Sequence, residues 1–323
     1  MAVQSCGDIH ALPEDCIAKA LSLTSPKDAC RMSVVASMFR SASQSDAVWS
    51  RFLPSDYRDI ISRAVDGSDS LLDGSRSKKD IYLHLCDHPI LIDGGRKSFS
   101  LEKWSGKKCF MLAARELFIV WGDTPEYWQW VSLPQSRFPE VAELLDVCWF
   151  EIRAKIGTNL LSPGTNYAAY LVFTCKSGFF GFDFIPAESQ VSLLGHEAQK
   201  RTVCLDPEGV RTRRRMGLFY PHAPHDNDNE DEDTLMYDED EDEDEYGMYV
   251  APNIEFPRDT EFPRDTEFPK QRDDGWMEVE LGEYFVKSGH DGELDISLME
   301  VKGGNWKSGL IIQGIEIRPK NCK

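Results

Sequence analysis

A chain of 323 residues with 41% apolar content carries enough hydrophobic side chains for about two ordinary cores. Its nine scattered cysteines, an odd count with no C-x-x-C pair, argue against a disulfide framework, and no uncharged stretch reaches the roughly 18 residues of a bilayer helix. The formal charge of -19 speaks against a nucleic-acid partner, although fourteen Asp or Glu between 226 and 245 leave only about -5 for the remainder.

Residues 10–54 read as three short helices. Leu12, Ile17, Ala20 and Leu21 recur at three- and four-residue spacings. Ser25 and Pro26 form a cap and a first-turn proline for a second helix running through Phe39, with Val34, Val35, Met38 and Phe39 as its apolar stripe. A third begins after Ser45 and presents Val48, Trp49, Phe52 and Leu53. Helices this short bury little alone, so a partner is expected. Residues 55–107 read as a helical connector, with helices at Tyr57 to Val65 and Lys78 to Cys86.

From Lys108 the period changes to two. In RELFIVW, Leu117, Ile119 and Trp121 share one face; in CWFEIRAKI, Phe150, Ile152, Ala154 and Ile156 alternate with Glu151, Arg153 and Lys155. Further runs are AAYLVFT, FFGFDF, WMEVEL, ELDISL and GLIIQGIEI. Many short strands without crossover helices predict an antiparallel sandwich or barrel over 108–320. It is interrupted at 210–272 by the cluster Arg211, Arg213, Arg214 and Arg215, the acidic tract, and EFPRDTEFPRDTEFPK, whose prolines forbid a helix or a central strand. Disorder is the expectation there, with His222 and His225 solvated and the arginines read as pairing the acidic tract in preference to forming a nuclear address.

The N-terminal order LPEDCIAKALSL, SPKDACRMSVVASMFRSAS, DAVWSRFLP resembles an F-box. The resemblance places Leu12, Pro13, Ile17, Leu21, Val35, Phe39 and Trp49 at the family's packing and contact positions. It implies docking onto the Skp adaptor and through it onto a cullin, with Trp49 suited to an interface anchor. The remainder resembles the phloem protein 2-like, Nictaba-related lectins of plants through ARELFIVWGDTPEYWQW, VCWFEIRAKI, YAAYLVF, DGWMEVELGEYF and GNWKSGLIIQGIEIRP. The fold implied is α+β, a small all-α F-box followed by a jelly-roll type β-sandwich.

A sugar ring packs its C–H face on an indole and needs carboxylates or amides for its hydroxyls. The lectin resemblance gives those roles to Trp121 and Trp128, on either side of the turn carrying Gly122, Asp123 and Pro125, and to Glu293 and Glu300. Glu300 has the inward parity of Leu294, Ile296 and Leu298, so it needs a partner, solvent or a bulge. Lys307 reads as a rim donor; Tyr127 and Trp130 read as core. There is no G-x-S-x-G, H-E-x-x-H, Walker loop or G-x-G-x-x-G, and no cofactor, metal or catalytic residue is expected.

Together these readings describe a cytoplasmic or nuclear subunit, away from membranes, that recruits N-glycan- or N-acetylglucosamine-bearing glycoproteins to a Skp-cullin-F-box ubiquitin ligase. Its rivals are a lectin without a ligase role and a ligase adaptor whose sandwich binds protein.

Overall fold

Short helices lead into two antiparallel sheets in a computed structural model that describes residues 12–65, 67–182, 185–196, 199–207, 262–289 and 291–320. The α-helices are α1 (Glu14–Leu21), α2 (Pro26–Met32), α3 (Ser37–Ala42), α4 (Asp46–Phe52), α5 (Tyr57–Ser62) and α6 (Lys78–Asp87). Ser25 accepts the Asp28 N–H with Pro26 in the first turn, Ser45 accepts the Ala47 N–H, and Ser77 with Asp80 forms a reciprocal capping box.

The single helix expected from Pro26 through Phe39 is instead two. α2 stops at Met32, and Ala36 is extended, at φ -154°, before α3 begins. Ser33 and the β-branched Val34 and Val35 lie at the break, where helix propensity is weakest. The consequence is that Val34 and Val35 face solvent rather than forming an inward stripe.

The strands are β1 (Ile90–Ile92), β2 (Lys97–Leu101), β3 (Lys108–Ala113), β4 (Phe118–Ile119), β5 (Trp128–Val131), β6 (Val141–Leu144), β7 (Phe150–Gly157), β8 (Thr165–Phe180), β9 (Ala187–Leu193), β10 (Arg201–Val203), β11 (Lys270–Gln271), β12 (Met277–Val286), β13 (Glu293–Glu300) and β14 (Ser308–Pro319). One sheet runs β1-β2-β3-β14-β8-β12-β11, with β6 on β14 and β5 on β6; the other runs β10-β9-β13-β7-β4. They face each other as a sandwich and do not close into a barrel. The period-two reading of β7 holds residue by residue, with Phe150, Ile152, Ala154 and Ile156 buried between outward Glu151, Arg153 and Lys155.

The expected connector is only half helical, because β1 and β2 extend the larger sheet through β3. Asp93, Gly94 and Gly95 take left-handed φ values of 55°, 70° and 78°, the hairpin signature that D-G-G between apolar runs encodes. Helices and sheets share one core: Ile17, Leu21, Trp49 and Tyr82 belong to the same buried cluster as Leu112, Ile152, Phe173 and Ile315. Lys108, nearly buried at the start of β3, pairs with Asp56 of the helical segment at 3.0 Å.

On the outer face of the larger sheet, Arg272 bridges Glu278 and Glu316 at 2.7 Å each, and Arg318 reaches the same two carboxylates while lying 3.8 Å over the Tyr170 ring. A second group joins Arg201 and Lys320 to Glu280 and Glu283. The acidic tract, the arginine cluster, His222 and His225, and the repeat as far as Glu261 lie outside the described residues.

Candidate functional site

The stretch WGDTPEYWQW does not form two equivalent indoles astride a bend. Only Phe118 and Ile119 of the expected RELFIVW strand are in a sheet, pairing with Arg153 and Ile152. Trp121 then takes a left-handed φ of 58°, a conformation that costs a bulky L-residue roughly 1–2 kcal/mol, and this turns its ring away from the inward parity of Leu117 and Ile119. It is 42% exposed and packs at 5.1 Å against the half-buried Tyr127.

Two other indoles hold it there. Trp128 donates its Nε1 hydrogen to the Val120 carbonyl at 3.1 Å, and Trp130 donates its own to the Gly122 carbonyl at 3.0 Å. The residues on both sides of Trp121 are thereby anchored from below. Trp128 is 3% exposed and stacks on Phe150, so its expected sugar-facing role is corrected: it is core, paired in β5 with Leu144. Trp130 is half-buried under the Arg115 guanidinium, 3.6 Å from its ring centre.

The two glutamates also part company. Glu293 and Glu300 are the first and last residues of β13, seven steps or about 23 Å apart at strand rise. Glu293 is exposed and pairs with Lys155 at 3.3 Å. Glu300 points inward, in line with its parity, and of the partner, solvent or bulge left open for it the structure supplies a partner, Lys307. Both are buried, Lys307 with no exposed surface at all, which corrects its reading as a rim donor and removes Glu300 from any solvent-facing site. Glu300 also accepts the Gly303 N–H at 3.1 Å, while Lys307 donates to the carbonyls of Asn305 at 2.8 Å and Cys148 at 3.4 Å.

Residues that the sequence reading passed over complete this end of the sandwich. Trp149 and Trp306 are 44% and 49% exposed. Val120 donates its N–H to the Glu151 carbonyl, and the Glu151 carboxylate accepts Trp149 Nε1 at 2.9 Å and Arg153 Nε at 2.7 Å. Burial pushes the Glu151 carboxyl up, but these two donors outweigh it and hold it below the ordinary range. Val147 and Lys307 exchange backbone hydrogen bonds at 3.0 and 2.8 Å, which sets Trp306 across from the segment leading to Trp149. The signal for Trp149 was available, since alternation with inward Phe150 leaves it facing out. Asp146 on the same segment has an unpartnered buried oxygen, and burial raises its carboxyl.

Among the helices, Ile17, Leu21 and Trp49 are core. Trp49 is completely buried, bonded from Nε1 to the Ser43 carbonyl at 2.6 Å and packed on Phe52 and Tyr82. Its expected role as an interface anchor is corrected accordingly. Leu12, Pro13 and Val35 are exposed, Phe39 is half-buried, and Leu23 and Val34 add further apolar surface.

A cleft of about 440 Å³ opens between β9 and β12 beside Tyr284, and a groove of about 570 Å³ runs along Leu23, Phe52 and Trp104. Neither is lined by Trp121, Trp128, Glu293 or Glu300. Among the described residues, no three His, Cys, Asp or Glu side chains gather to hold a metal, and no helix is long and apolar enough to cross a membrane.

The chain is similar over 99% of its length to the F-box protein PP2-B1 of Arabidopsis thaliana, at 42% identity and 92% coverage of that relative. It is 40% identical to F-box protein PP2-B10 of the same plant, over 96% of this chain and 93% of the relative. The F-box domain profile matches residues 9–51, and the phloem protein 2 profile matches residues 107–319. The exposed helical face and the indole-rimmed sandwich thus fall in two recognised modules, and the chain belongs to the phloem protein 2 family with an F-box at its N-terminus.

Proposed function

We propose that this chain is a substrate-recognition subunit of a Skp-cullin-F-box ubiquitin ligase, with the helical module docking the Skp adaptor and the sandwich holding a glycan or glycoprotein. The chain performs no bond-making step; ubiquitin transfer belongs to the enzymes assembled around it in cytosol or nucleus. The observation that carries this reading is the coexistence of the F-box match with apolar side chains left uncovered in the same helical module, at Leu12 ahead of α1 and at Val34 and Val35 between α2 and α3. Co-purification of the full chain with the Skp adaptor tests it: retained adaptor that is lost in Val35→Asp supports the ligase role, and no adaptor on the intact chain removes it.

On the sandwich the half-exposed Trp121 supports a sugar ligand. The burial of Trp128 and the separation of Glu293 from Glu300 favour the rival in which the sandwich binds protein. A glycan array on the full chain decides between them, since binding to N-glycan or N-acetylglucosamine probes supports the lectin role and a blank array leaves the protein-binding one.

A further inference from the structure

The cleft between β9 and β12 lies at the opposite end of the sandwich from the exposed indoles. Leu193 in its wall pairs with Leu294, next to the first residue of β13, whereas Trp149 precedes Phe150, the partner of Glu300 at the last, about 20 Å away at strand rise. The cleft exists because both sheets end on this side in half-covered strands. Among the described residues, β10 pairs β9 only at Ala187, Glu188 and Ser189, and β11 pairs β12 only at Met277 and Glu278, so the rest of β9 and of β12 overhang a shared gap. Gly282 closes its floor by carrying no side chain, since a Cβ there would lie 2.9 Å from Val191 Cγ2.

Charge is unevenly spent around the mouth. Arg201 and Lys320 are matched against Glu280 and Glu283, and Asn166 donates a further hydrogen bond to Glu283 at 2.7 Å. The one carboxylate in the lining is thereby already satisfied. His196 and Lys287, both exposed, have no carboxylate partner among the described residues. Lys287 supplies uncompensated positive charge, and His196 a hydrogen-bond donor beside it. Below them Val191, Leu193 and the ring of Tyr284 present apolar walls.

At about 440 Å³ the cleft has the size of a small-molecule site, and apolar walls with a few polar groups on one side orient an amphipathic guest. Unmatched positive charge in a concave, low-dielectric mouth selects an anion. We propose that the cleft binds a small amphipathic anion, with its single carboxylate or phosphate at Lys287 and His196 and its apolar body against Val191, Leu193 and Tyr284. The site is separate from the indoles and from the helical module, so it stands whether the sandwich holds a glycan or a protein.

Calorimetric titration of the full chain with octanoate, octyl phosphate, octanol and octylamine tests it. Octanoate or octyl phosphate should bind about 10-fold or more tighter than octanol and octylamine, and inorganic phosphate about 10-fold or more weaker than octyl phosphate. Lys287→Glu should remove the preference for an anionic head group with an unchanged melt, Lys287→Arg should keep affinity within about threefold, and Leu193→Ala should weaken every octyl ligand. Failure of both octyl anions to bind, equal affinity across the head groups, octyl affinities untouched by Leu193→Ala, or an anion preference that survives Lys287→Glu combined with His196→Ala overturns the site.

Discussion

Lys307 and Glu300 form an ion pair inside the sandwich, one on the approach to β14 and the other at the end of β13, with essentially no exposed side-chain surface on either. Sealed this way, the pair cannot greet a ligand, and its part in any site is to hold the chain around Trp149 and Trp306. Removing one partner leaves a buried charge uncompensated. Lys307→Met and Glu300→Gln should therefore each cost about 3–5 kcal/mol in urea unfolding. The apolar double replacement Glu300→Leu with Lys307→Met should recover most of that loss, and additive losses in the double variant would show that the two do not act as a unit.

Trp121 and Trp128 should separate stability from binding. Trp121→Gly removes the cost of a left-handed bulky residue while giving up the contact with Tyr127, so its stability should stay within about 1 kcal/mol of the parent. Trp128→Ala empties a core position stacked on Phe150 and should cost about 3–5 kcal/mol. Denaturant midpoints for the two variants check this, and equal losses would contradict the division of labour within WGDTPEYWQW.

In the helical module the same division applies. Leu12→Asp and Val35→Asp alter exposed apolar groups, and surface changes usually fall within about 0.5 kcal/mol, so adaptor capture should fall while the melting curve holds. Trp49→Ala, in contrast, should unfold the helices, at a cost of about 3–5 kcal/mol, and lose adaptor capture only as a consequence. Adaptor capture together with a melt separates the two outcomes.

Acid should weaken the sandwich through its outer charge network. Burial alone would raise the Glu316 carboxyl, but Arg272, Arg137 and Arg318 outweigh it and hold it at about 2; Lys320 foremost, with Arg201 and Asn166 against a burial penalty, holds Glu283 at about 2. Both lie below the ordinary glutamate value, so their stabilisation is fully present above about pH 4.5 and is lost as pH falls from there toward 2. Melting temperature followed from pH 6 to about pH 3 should drop, and Glu316→Gln should be less stable at pH 6 with a shallower fall. An unchanged slope in that variant would assign the acid loss to other groups.

Much of this protein was decided along the chain itself. Local chemistry is short-ranged, so Ser25-Pro26 capped α2, Ser45 capped α4, and the alternation in CWFEIRAKI put Phe150, Ile152, Ala154 and Ile156 inside and Glu151 and Arg153 outside. Parity also marked Glu300 as a carboxylate in need of a partner, solvent or a bulge. What parity could not supply was which of these it would be, because Lys307 reaches Glu300 from the segment leading into β14. Nor could periodicity foresee that Trp121 would leave its strand: its left-handed backbone is sustained by indole hydrogen bonds from Trp128 and Trp130, seven and nine residues further on. Whether an aromatic becomes anchor or surface depends on which carbonyls its N–H meets after folding, and those meetings exist only in the tertiary structure.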